Sequence, residues 1–156
     1  MKVASHIEKF WRLDAMKRRL NAETDCELWI WTAMNACTHL LNAALHHCKA
    51  TEEVDSFHTQ VDGLYVIPDR VNGTLHDAMH APGDVMHVNQ PPIAGPLPPA
   101  LEKASASLRN IENLRDPFVR GMKQVPQGAE KKWESAYQQC VIQLSTVLGD
   151  VLRDST

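Results

Sequence analysis

"LWIWTAMNACTHLLNAALHHC", residues 28–48, runs 21 residues without a formal charge, and its reading decides the fold. That length is enough for a membrane span. Thr32, Asn35, Thr38, His39, Asn42, His46 and His47, however, place seven polar side chains in it. Each is unfavourable in hydrocarbon unless paired, so the stretch predicts a helix of a water-soluble protein and no membrane partner. On a helical wheel, Asn35, His39, Asn42 and His46 fall within about a 60° arc. Opposite them lie Cys26, Ile30, Ala33, Met34, Cys37, Leu41, Ala44, Leu45 and Cys48.

The polar face raises its own question, because it carries no Lys or Glu and Asn is a poor mid-helix residue. With Trp31 at its edge, an uncharged face of this kind suits partial burial. It predicts a self-association surface, a layer packed beneath another segment, or the lining of a pocket. Trp31, Asn35, His39, Asn42 and His46 are therefore candidate ligand or interface residues. His39 or His46 could also act as a general base, since imidazole titrates near neutrality.

Helical signals continue on both sides. "SHIE" (Ser5–Glu8) has the pattern of a capping box and predicts a first helix using Ile7, Phe10, Trp11 and Leu20. "TDCE" (Thr24–Glu27) repeats the pattern before the quoted stretch. Pro98 and Pro99 suit the first turn of a third helix, with Leu97, Leu101, Ala104, Leu108, Ile111 and Phe118 as its apolar set. Trp133, Tyr137, Cys140, Leu144, Leu148 and Val151 mark a fourth by spacings of three and four. The short connection "GMKQVPQG" predicts that helices three and four run antiparallel. The expectation is an all-α fold, a four-helix up-down bundle of two antiparallel pairs in one domain, 1–156. The first pair spans 1–50, the second spans 100–156, and an excursion, 51–99, separates them.

The excursion differs in composition. It carries seven acidic residues against Arg70 alone, four of the eight histidines and most of the prolines. "PPIAGPLPP" (91–99) reads as an extended connector. "GLYVIP" predicts a short strand, Asn72-Gly73 a tight turn, and "GTLHDAMHA" a brief helix stopped at Pro82-Gly83. On such a helix His76 and His80 would share one face, and Asp84 or His87 could add a third metal ligand from the following turn. A divalent zinc, iron or manganese ion held in that way could support hydrolysis. The HExxH pattern of metalloproteases is absent. "RVNGTLH" (Arg70–His76) is similar to the Arg…His spacing of HEPN-type ribonucleases, small helical bundles that commonly dimerise. The resemblance covers two residues and the helical outline. It implies Arg70 stabilising phosphate charge and His76 transferring a proton, without metal.

Charge and cysteines bound the remaining choices. Across 156 residues the formal charge is −3 and the pI near 6.2, which argues against a general nucleic-acid coat. Lys9, Arg12, Lys17, Arg18 and Arg19, and later Arg109, Arg115, Arg120 and Lys123, form local basic clusters, so nucleic acid stays a minor candidate partner. Cys26, Cys37 and Cys48 repeat every eleven residues, about 16 Å along a helix, too far apart to bridge. Together with Cys140 they read as small buried hydrophobes in a reducing compartment. The N-terminus shows no secretory pattern, so a cytoplasmic protein is expected. The leading functional expectation is a binding or regulatory module that dimerises through the uncharged face and takes a protein or small-molecule ligand. The alternatives are the metal-dependent hydrolase and the ribonuclease.

Overall fold

The computed structural model describes residues 1–53, 57–58, 64–69, 71–79, 83–88, 90, 92–93 and 95–153, without the side chains of 57, 58, 65, 67–69 and 76–79. It is mostly helical. Four long helices, α1 (Val3–Lys17), α2 (Cys26–His47), α3 (Pro99–Glu112) and α4 (Ala129–Leu148), carry the core. A π-helical turn (Asp116–Arg120) follows α3, and a one-turn helix, α5 (Asp150–Arg153), follows α4. Among the described residues no helix is long and apolar enough to cross a membrane.

α2 is the central helix. It packs against α1, α3 and α4, and 14 of its 22 residues are buried. A helix enclosed on most sides has no place for Lys or Glu, and this is why the quoted stretch is uncharged. Trp29, Ile30, Leu40, Leu41 and Leu45 are buried on it, each contributing about 1.5–3 kcal/mol of hydrophobic stabilisation. α3 and α4 pack through Leu101, Ala104, Leu108 and Ile111 on one side and Trp133, Tyr137, Cys140, Leu144 and Leu148 on the other, the predicted stripes. Leu97, Phe118 and Val151 are only partly buried at the edge of this core.

Neither capping box works as a cap. α1 starts two residues before Ser5, where tertiary partners hold its first turn: the Val3 N–H donates to Glu53 Oε2 at 3.1 Å. Before α2, Asn21 Oδ1 accepts the N–H groups of Glu23 and Thr24, and Asp25 Oδ2 accepts that of Asn21. Those bonds build a turn, and the helix begins after it at Cys26. At its other end α2 closes in a Schellman motif. Ala50 N–H donates to Leu45 O and Lys49 N–H to His46 O, with Lys49 at φ 59°. A left-handed Lys is strained by about 1 kcal/mol relative to glycine, and the reversal it permits brings Thr51 back onto α2.

The excursion contains a small antiparallel sheet in the order β1 (Phe57–His58), β2 (Leu64–Asp69), β3 (Thr74–Met79). The predicted strand and turn are present, with Gly73 at φ 65°. The predicted helix over "GTLHDAMHA" is not: Thr74–Met79 is a strand paired with β2, Ile67 opposite His76. A helix that short gains too few hydrogen bonds to compete with a continuous ladder. Residues 83–88 then return to the helices and bury Val85 in the core.

Lys17 departs from the predicted basic surface. It is buried, with Nζ at 2.6–2.7 Å from the Glu134 carboxylate and 4.1 Å from the Tyr137 ring centroid. Tyr137 in turn donates to Asp14 Oδ1 at 2.8 Å.

Candidate metal centre

The polar line of α2 runs from solvent into the core. Trp31 and Asn35 are exposed, His39 is half-buried, and Asn42 and His46 are buried. Its inner half is covered from within the chain, by α1 and by residues 83–88, so that half presents no surface to a second copy. Asn42 is the clamp: its Nδ2 donates to Val85 O at 2.8 Å and its Oδ1 accepts from Val85 N at 2.7 Å. This pair fixes the backbone beside Asp84.

Asp84 is the hub. Its Oδ1 accepts from His46 Nε2 at 2.9 Å, from His6 Nε2 at 3.1 Å and from the Met1 ammonium at 2.7 Å. Burial favours the neutral acid, but the hydrogen bonds from His46, His6 and the ammonium outweigh it and hold the carboxyl well below the usual range. Asp84 is therefore ionised. Both imidazoles are held at their far nitrogens too. Thr51 Oγ1 lies 2.7 Å from His46 Nδ1, and His39 Nδ1 lies 2.9 Å from His6 Nδ1. Without another partner at the hub, both rings carry their proton on Nε2, so Thr51 and His39 donate to the Nδ1 atoms. Burial lowers the pKa of His6, and burial first, then the neighbouring His6, lowers that of His39 to about 4. The His6 and His39 imidazoles are neutral at pH 7.

His6, His46 and Asp84 place one ligand atom each within 4.8 Å of one another. The metal–ligand distances of zinc put neighbouring ligands of a tetrahedron about 3.3 Å apart. The Asp84–His contacts of 2.9 and 3.1 Å need a few tenths of an ångström of expansion to reach that value. Two imidazoles and a carboxylate suit zinc or iron, and partners on both Nδ1 atoms supply the outer support that metal-bound histidines usually have.

The sequence-derived metal set is thus divided. Asp84 lies in the cluster, but its companions are His6 and His46. His87 lies within 3.5 Å of Glu112 Oε1 instead. His76 is in β3, not on a helix face with His80; its side chain, His80 and Arg70 lie outside the described residues. His6 is the residue sequence reasoning missed. Among the buried positions of α1 (His6, Ile7, Phe10, Asp14, Lys17), His6 is a polar residue on the apolar stripe, and that is a readable signal.

In front of the cluster lies a cavity of about 450 Å³. Met1, His6 and Asp84 belong to its wall, as do Trp31, Asn35, His39, Met86 and His87; His46 is fully buried and does not line it. No family model, curated protein or solved structure matches the chain. The site must be read from its geometry.

Proposed function

We propose that this protein, an up-down helical bundle, binds one divalent metal ion through His6 Nε2, His46 Nε2 and Asp84 Oδ1, and uses the open side toward the cavity for metal-assisted hydrolysis. The observation that carries this reading is the convergence of three ligand atoms, two on buried imidazoles and one on an ionised carboxylate. Such a metal supplies Lewis acidity to a substrate oxygen. The chain's own residues do the rest: Thr51 and His39 accept from the Nδ1–H groups of the ligand rings and so fix them, Asn42 fixes the backbone at Asp84, and His39 in that state offers its Nε2–H as a hydrogen-bond donor on the cavity wall.

A second reading has one specific observation in its favour. The Met1 ammonium at 2.7 Å already neutralises Asp84, so the cluster could be a structural tie between the N-terminus, α2 and residues 83–88. Elemental analysis of untagged, freshly purified protein separates the two, with His46→Ala and Asp84→Asn alongside and folding checked by circular dichroism. Near-stoichiometric zinc, iron or manganese that is lost in both variants supports the metal centre. No metal in the parent, and no heat on titrating it with zinc, leaves the structural tie.

A further inference from the structure

We infer that the cavity selects an elongated organic molecule, with an oxygen-donor head at the metal centre and an aromatic or apolar tail on Trp31. This inference rests on the metal reading above. Two features carry it: the length of the cavity and the character of its far end.

The length comes from α2. Trp31 and His39 are eight residues apart, about 12 Å along the helix, and both line the same cavity. A ligand reaching from the centre to Trp31 is therefore longer than a single ring. The volume of about 450 Å³ accommodates a small organic molecule.

The far end is apolar and open. Trp31 is 36% exposed, a large aromatic side chain left in contact with water on the cavity wall. Asn35, between Trp31 and the centre, spends its Nδ2 on Trp31 O at 2.7 Å. That bond fixes the amide and leaves Oδ1 as an acceptor for one N–H or O–H of a ligand. At the near end the Met1 ammonium also reaches the wall, held on Asp84 Oδ1 at 2.7 Å. An aromatic tail buries apolar area on Trp31.

The test uses the full chain loaded with cobalt(II) and two probes: 4-phenylbutanehydroxamic acid and butanehydroxamic acid. The cobalt absorption spectrum reports an oxygen arriving at the metal, and calorimetry gives each Kd. The expected result is that the phenyl compound binds at least about tenfold more tightly than butanehydroxamic acid, as the transfer of one ring onto an aromatic wall requires. Trp31→Ala removes most of the advantage of the phenyl ring while the bound cobalt is unchanged. Equal affinities of the two hydroxamic acids, or an unaltered ratio in Trp31→Ala, each overturn the inference and leave the metal centre standing. A chain that retains no cobalt overturns both.

Discussion

Substituting Asn42→Asp tests the clamp that holds Asp84 without touching any ligand atom. The change is nearly isosteric. Oδ1 still accepts from Val85 N, but the second oxygen now stands where Nδ2 donates to Val85 O, at 2.8 Å from that carbonyl. Both residues are 2% exposed, so water cannot repair the loss. A lost hydrogen bond plus an unsatisfied buried carbonyl amounts to about 2–4 kcal/mol. A ceiling follows from protonation, because the neutral acid regains a donor to Val85 O. Holding a carboxyl of ordinary pKa 3.9 neutral at pH 7 costs about 4 kcal/mol, and the destabilisation cannot exceed that.

The pH dependence makes the test sharper. The introduced carboxyl has its folded pKa raised, so the unfolded state releases the proton first. Relative to the parent, the variant loses stability as pH rises from 3.9 toward the raised value, and it recovers on acidification. The ceiling falls to about 1.5 kcal/mol at pH 5. Urea unfolding of parent and variant at pH 7, 6 and 5, with chelator present, gives the difference directly. We expect about 2–4 kcal/mol at pH 7, shrinking to 1.5 kcal/mol or less at pH 5. A difference below about 0.5 kcal/mol at pH 7, or one that does not change with pH, refutes the clamp.

Two further outcomes are expected. In the metal-free parent, stability is full above pH 6.5 and falls as pH drops toward about 4, because the unfolded histidines take up protons that His6 and His39 refuse when folded. The loss is on the order of 2 kcal/mol once His39 is discounted for its partial contact with solvent; an unfolding midpoint in urea that is equal at pH 7 and pH 4.5 contradicts it. Glu134→Ala strands the buried Lys17 ammonium and destabilises by about 2–3 kcal/mol, less than for a fully buried pair because Glu134 is 37% exposed. Adding Lys17→Met recovers most of that loss, and chemical denaturation of the three proteins checks it; a double variant no more stable than Glu134→Ala shows that the pair is not the source.

What the sequence made legible is where local chemistry and tertiary packing agree. Pro98 and Pro99 precede an apolar set spaced by threes and fours, and α3 begins there. Trp133, Tyr137, Cys140, Leu144 and Leu148 form one stripe and one buried face of α4. The failures sit where tertiary partners override a local signal. Ser5 has the residue type of a cap, but Glu53 reaches the Val3 N–H from outside the helix and moves the start upstream. Thr74–Met79 has no strong preference, and pairing with β2 decides it. Half of the candidate site was legible, since Asn35, His39, Asn42 and His46 stand at one helical spacing and Trp31 at their edge. The other half was hidden for two reasons. Reading "SHIE" as a cap conceals His6 on the buried face of α1. And Asp84 meets His46 across 38 positions of chain, a contact no local pattern encodes.

The line of polar residues on α2 has two ends with two different physical roles. At the outer end Trp31 and Asn35 face the cavity and water, where an uncharged helix surface carries little penalty. At the inner end the chain buries His46 completely and His6 almost so, beside a carboxylate 21% exposed. Taking such groups out of water is unfavourable, and a layer of apolar residues of similar volume would commonly hold α1, α2 and residues 83–88 together at least as well. Stability alone therefore gives no reason for the inner end. The proposed metal centre gives one: it would require neutral imidazoles, which burial of His6 favours, an ionised carboxylate, which Asp84 keeps through its hydrogen bonds, and fixed rings, which Thr51 and His39 provide. The Met1 ammonium then reads as the cation that balances Asp84 when the metal is absent. On that reading metal and ammonium compete for one oxygen, and loading the ion should release the N-terminus from Asp84.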